Sequence, residues 1–159
     1  MQVFDASSMI HAWDNYPPAQ FPPLWEWMME QVETRRIQMS EVAIEEVKYK
    51  LPECNTWLHN AGLQIIFVDE TILQEAFRIK KLLEIEEDNY GSGVDENDLI
   101  IIATAKIHSW ELVTNEGFQP KLPKSKHKYK IPAVCGMDTV KIPWISFLGY
   151  LKRSEAVFE

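Results

Sequence analysis

The chain has 159 residues, 46% hydrophobic and 25% charged, with 16 Lys and Arg against 24 Asp and Glu for a net charge of −8. This is ordinary globular composition, long enough to bury roughly two-thirds of the unfolded surface around one core, and it excludes disordered, collagenous and low-complexity classes. The acidic balance argues against a general nucleic-acid coat; two cysteines, Cys54 and Cys135, with no Cys-x-x-Cys or Cys/His spacing, argue against a disulfide framework or a zinc site.

Hydrophobic periodicity predicts short strands alternating with helices. Gln2–Phe4 reads as a strand ending at Asp5, and Ser7–Asp14 as a short helix. Four prolines between Tyr16 and Pro23 require an extended loop. Leu24–Arg36 is helical, Ile37–Met39 a second strand, and Ser40 the cap of a helix running to about Leu51. Pro52 opens a helix that stops near Gly62. Gln64–Val68 is a third strand, followed by a helix from Thr71 to about Glu87. Asn89–Gly93 is a loop, and Asp95 starts a helix that ends at His108. Glu111–Thr114 is a fourth strand. A basic segment follows, Lys121–Lys130, with five lysines, one histidine and no acid. Pro132–Met137 reads as a helical turn, Thr139–Ile142 as a fifth strand and Trp144–Lys152 as the last helix. No repeat or Gly/Ser linker divides the chain, so residues 1–159 form one domain. The alternation implies an α/β/α sandwich with a mostly parallel sheet, whose sites form at the carboxyl ends of strands.

Four acids stand at or near that edge. Asp5 directly follows the first strand, where it is either a site carboxylate or the cap of the next helix. Glu46 falls between apolar positions of its helix while Glu45 falls on the polar side; it is therefore either paired or bound to a cation. Asp98 lies at the third position of a helix apolar nearly all round, with Asp95 as a capping partner. Glu116 lies two residues beyond Thr114. Carboxylates gathered in one cleft raise one another's pKa unless cations are present, and oxygen-only ligand sets select Mg²⁺ or Mn²⁺. Such ions activate water and stabilise the leaving oxygen in phosphoryl displacement. The lysines beside Glu116 supply charge for a phosphate backbone. By contrast, Gly91-Ser92-Gly93 is too short for a nucleotide-binding fingerprint. The four histidines show no metal or triad spacing, and Trp110 and Trp144 read as core. The helix of Leu24–Val32, rich in Trp and Met, reads as core packing or as a protein contact.

The segments Val3-Phe4-Asp5-Ala6-Ser7, Ser40-x-Val42-x-Ile44-x-Glu46-Val47, Asp98-Leu-Ile-Ile-Ile-Ala103-Thr104-Ala105 and Leu112-Val113-Thr114-Asn115-Glu116 occur in the order of the PIN-domain motifs. The chain resembles that superfamily of metal-dependent ribonucleases, which includes VapC-type toxins. A narrower resemblance is to an uncharacterised PIN-like family, carried by Asp5–Trp13, the Pro-rich segment with Phe21, Trp25 and Trp27, and Lys130-Ile-Pro-Ala-Val-Cys135. Its members are often encoded beside a helix-turn-helix protein. The resemblance implies that Asp5, Glu46, Asp98 and Glu116 are catalytic carboxylates and ligands of Mg²⁺ or Mn²⁺, with Ser7 and Thr114 in support. Most members carry Asp where this chain has Glu116, and Asn115 stands where another acid sometimes helps. The implied function is a cytoplasmic endoribonuclease that hydrolyses RNA by a metal-activated water, with Lys124, Lys126, Lys128 and Lys130 on the RNA backbone. It would be the toxin of a toxin–antitoxin pair, partnered by an antitoxin of helix-turn-helix type and able to form a homodimer. The alternative is a catalytically degenerate PIN-like module that binds RNA or protein without cutting. Membrane association is not expected: the longest clear apolar run, Leu99–Ala103, is far below the ~20 residues a spanning helix needs. The first residues carry no basic region leading an apolar stretch.

Overall fold

The computed structural model describes residues 1–159. Its centre is a five-stranded sheet in the order β3-β2-β1-β4-β5, parallel throughout: β1 (Gln2–Phe4), β2 (Ile37–Ser40), β3 (Gln64–Ile66), β4 (Glu111–Val113) and β5 (Trp144–Ile145). Neighbouring residues of a strand face opposite sides of the sheet. Val3 and Phe4 are both fully buried, so helices cover both faces. Phe4 packs edge-on against Phe147 and Tyr150, with ring centroids 6.3 and 5.3 Å away.

The helices are α1 (Ala6–Asn15), α2 (Pro22–Glu33), α3 (Glu41–Lys50), α4 (Pro52–Asn60), α5 (Glu70–Leu82), α6 (Glu96–His108), α7 (Ile131–Cys135) and α8 (Phe147–Ser154). Prolines open α2, α4 and α7, where a missing N–H costs nothing. Residues Leu99 to Ala105 of α6 are all buried, as an all-apolar helix requires, and α6 packs on β1, β2 and β4. Trp13, Trp25 and Trp57 form an edge-on aromatic cluster joining α1, α2 and α4. No helix is long and apolar enough to cross a membrane.

Three expectations need correction. The last strand is Trp144–Ile145, not Thr139–Ile142, and α8 begins at Phe147 rather than Trp144. Thr139–Ile142 instead turns through Lys141, whose φ of 47° is left-handed, and buries Val140 and Ile142 in the core. Pairing to β4 fixes the strand: the Leu112 and Thr114 N–H groups donate to the carbonyls of Pro143 (2.9 Å) and Ile145 (3.0 Å). Pro143, lacking an N–H, is tolerated because β5 is an edge strand. The second correction is α5, which stops at Leu82 because Glu84 adopts a left-handed φ of 59°. The third is Ser40, which precedes α3 but makes no side-chain cap; its buried Oγ has no hydrogen-bond partner.

Candidate active site

The sheet order places a topological switch point at β1. From β1 the chain builds outward through β2 to β3, then returns to β4 on the other side. Crevices at the carboxyl ends of strands flanking such a point are where open parallel sheets bind ligands. The two segments leaving the strands there are Asp5–Ser8 and Thr114–Glu116, and hydrogen bonds tie them together. Ser7 Oγ and Thr114 Oγ1 both donate to Asp5 Oδ2, at 2.6 and 2.9 Å. Ser7 Oγ accepts from the Asn115 N–H (3.0 Å), and Thr114 Oγ1 accepts from the Glu116 N–H (3.1 Å). Ser8 Oγ donates to the carbonyls of Asp5 and Val113. Ser7 and Thr114 thus support Asp5 directly. Asp5 stands at the N-cap position of α1, but its side chain caps nothing.

Asp5, Glu46, Asp98 and Glu116 line one cleft of about 410 Å³, together with Ser7, His11, Asp14, Asn15, Lys50 and Asn115. The four predicted acids are therefore brought together. Asp5 is only 2% exposed; burial raises its pKa, as does the charge of Glu46, against the hydrogen bonds from Ser7 and Thr114. Burial likewise pushes Asp98 up to about 8, with the charges of Asp95, Glu116 and Asp5 adding to it. Glu116 is raised by burial and then by Asp5, while Lys130 pulls it down. The carboxylates therefore feel one another across a common cleft.

Two of the acids are also engaged locally. Asp98 and Asp95 form a reciprocal capping box, each side chain accepting the other's backbone N–H at 3.0 and 2.9 Å. Glu46 pairs with Lys50 one turn on, at 2.9 Å. No three His, Cys, Asp or Glu side chains converge closely enough to hold a metal as they stand. The donor chemistry nonetheless fits a hard divalent cation: carboxylates alone, mutually repelling, one of them buried. Asp5 with Asp98 and Glu116 is the set that could hold it, and Glu46 could join by exchanging Lys50 for the cation. Asn115 serves another purpose: its Oδ1 accepts the N–H of Phe147 at the start of α8 (2.9 Å).

Sequence reasoning missed the wall that α1 contributes. Ser7, Ile10, His11 and Asp14 lie at i, i+3, i+4 and i+7 and form one helical face on the cleft. His11 Nδ1 lies 3.2 Å from Asn15 Nδ2, which donates to the His11 carbonyl. The predicted lysines divide. Lys130 lies beside Glu116 electrostatically, with its Nζ close to Gly117. Lys126 lines a separate cavity, and Lys124 and Lys128 are exposed. The Cys54 and Cys135 thiols are buried and pushed up to about 12, consistent with packing rather than nucleophilic roles.

A family model for a domain of unknown function, DUF4411, matches residues 2–158. Comparison with curated proteins gives no match. Among solved structures, DNA-bound VapBC from Salmonella typhimurium contains a chain that aligns at TM-score 0.55 and 18% identity, covering 92% of this chain and 97% of that one. FitAcB from Neisseria gonorrhoeae aligns at 0.54 and 16%, covering 93% and 99%. VapBC2 from Rickettsia felis, bound to a DNA fragment from their promoter, aligns at 0.53 and 16%, covering 91% and 97%. At these identities the likeness is one of fold, end to end.

Proposed function

The chain belongs to the family described as domain of unknown function DUF4411 and has a PIN-like α/β/α fold, and from that premise we propose that it is a metal-dependent endoribonuclease serving as the toxin of a toxin–antitoxin pair. The observation that carries the reading is the single cleft at the switch point, which Asp5, Glu46, Asp98 and Glu116 all line. Three of them have raised pKa values. Such a cleft is costly without a cation and useful with one. A bound Mg²⁺ or Mn²⁺ would acidify water and neutralise charge on a phosphodiester. Asp5 is held for that task by Ser7 and Thr114, which fix its carboxylate. The Glu116 backbone is tied to Thr114 Oγ1 through its N–H, and the charge of Lys130 beside Glu116 would attract a phosphate adjoining the cleft. Lys124, Lys126 and Lys128 extend the basic edge along the RNA backbone. The structural neighbours are chains of VapBC and FitAB complexes, several of them DNA-bound. That supports an antitoxin partner; we further take the antitoxin to be of helix-turn-helix type and the site of action to be RNA in the cytoplasm.

A second reading, a PIN-like module that binds without cutting, draws on the Glu46–Lys50 pair and the lack of a converged ligand set. Incubating purified protein with a mixed tRNA, rRNA and mRNA pool separates the two. Discrete fragments in Mn²⁺ or Mg²⁺, absent in EDTA and absent for Asp5→Asn/Asp98→Asn, are the expected result. Intact RNA with either metal, from folded protein free of antitoxin, favours the binding module.

A further inference from the structure

Beyond Glu116 the chain builds a second cavity, of about 640 Å³, within the roughly 300–1,000 Å³ range of small-ligand sites. Its walls include Phe118, Lys126, Tyr129, Met137, Asp138 and Trp144. Phe118 is 65% exposed and stacks on the indole of Trp144, with centroids 6.0 Å apart and planes 29° from parallel. A large aromatic held on a second ring yet open to solvent gains little from folding. It is, however, the form a base-stacking platform takes.

The platform is built rather than loose. The Gln119 amide bridges the two chain segments of the cavity rim: its Nε2 donates to the Lys128 carbonyl (3.1 Å), and its Oε1 accepts the Lys130 N–H (2.9 Å). This fixes Phe118 two residues from Glu116. Lys130 lies between the two sites, with Nζ close to Gly117. Gly93 is also required here: a Cβ would clash with the Tyr129 carbonyl, so the 89–93 loop packs directly against the basic segment.

We propose that this cavity is a nucleobase subsite, taking one base of a single-stranded RNA next to the phosphate held at Lys130 and the carboxylate cleft. Charge chooses this occupant over an apolar peptide: Lys126 is on the cavity wall, within the run from Lys121 to Lys130 that holds five lysines and no acid. The acid on the cavity wall, Asp138, disfavours phosphate there but can accept the N–H groups of a base edge. The base therefore enters the cavity while the backbone follows the lysines. The subsite rests on the nuclease reading for its substrate, but not for its binding chemistry.

The test uses the full chain carrying Asp98→Asn, titrated with short oligoadenylate and oligouridylate and with an abasic strand of equal length. Tryptophan fluorescence is the signal, and Trp144→Phe identifies the share that Trp144 reports. Base-bearing strands should quench the Trp144 signal, and the abasic strand should not. Phe118→Ala should weaken binding about ten-fold, the order of one lost base–aromatic stack, and Phe118→Tyr should restore it. Equal binding of abasic and base-bearing strands, or unchanged affinity in Phe118→Ala, overturns the subsite. Capture of an antitoxin segment by the cavity with no base-dependent quenching overturns it as well. The two readings fail separately. Base-dependent quenching from a protein that cuts no RNA keeps the subsite and removes the nuclease. Unchanged cutting rate and cut sites in Phe118→Ala, with the native acids present, keep the nuclease and remove the subsite.

Discussion

Asp98 links the local chemistry of the cleft to a measurable property. An ordinary aspartate titrates near 4, whereas burial and three neighbouring acids push this one up to about 8. The folded state therefore holds its proton more tightly than the unfolded state does. Below about pH 4 both states are protonated and the group is neutral to stability. Between about 4 and 8 the unfolded state releases the proton first, so stability falls as pH rises. The raised pKa values of Asp5 and Glu116 act with the same sign. In cation-free buffer the melting temperature should fall from pH 5 to pH 8. Asp98→Asn should flatten that fall and raise the melting temperature at pH 8, since an amide oxygen can still accept the Asp95 N–H. Adding Mn²⁺ at pH 8 should restore stability to the native chain and not to the variant, by linkage to a bound cation. A melting temperature independent of pH in this range would mean that the carboxylates do not confront one another in solution.

At the scale of elements, α6 is the piece whose placement decides the site, because it carries Asp98 into the cleft. Its start rests on a reciprocal box: Asp95 Oδ1 accepts the Asp98 N–H while Asp98 Oδ2 accepts the Asp95 N–H. Asp95→Ala should destabilise the protein by about 1 kcal/mol, and Asp95→Asn by much less, in denaturant unfolding. That box was legible from sequence because capping is local: an acid, three residues and an apolar run. The same locality made β1, α1 and the acid after β1 readable. That these four acids would share one cleft was legible because each follows a strand or lies on a readable helix face. What escaped depends on contacts distant in sequence. The position of β5 is set by which carbonyls β4 can reach, so the alternating stretch Thr139–Ile142 looked strand-like although it only turns Val140 and Ile142 into the core. Ser40 has the composition and the extended backbone of a cap, but its buried hydroxyl reaches no partner. The His11 and Asp14 face was written in the spacing of α1, yet it acquires meaning only once α1 is known to border the cleft. Glu46 was placed beside the apolar stripe correctly, and only the structure shows that Lys50 holds it.

Over the whole molecule, charge is sorted rather than mixed. A chain of net charge −8 repels RNA in general, and its cleft carries carboxylates besides. Beyond a Debye length of about 8 Å at physiological salt that repulsion is screened, so a strand is drawn in only by what it meets at close range. On the proposed reading it meets the edge of Lys124, Lys126, Lys128 and Lys130, and the counterions released there should dominate affinity. For a single strand, each phosphate neutralised contributes roughly 0.7 to the slope of log affinity against log salt. Changing all four lysines to Gln should flatten that slope by about 3 if each engages one phosphate. Lys48→Gln on the exposed side of α3 should leave it unchanged. The measurement is a salt titration of oligonucleotide binding by the Asp98→Asn chain, which separates attraction from cutting. A slope that the four substitutions leave intact would move the RNA path off this edge, and with it the base proposed to stack on Phe118.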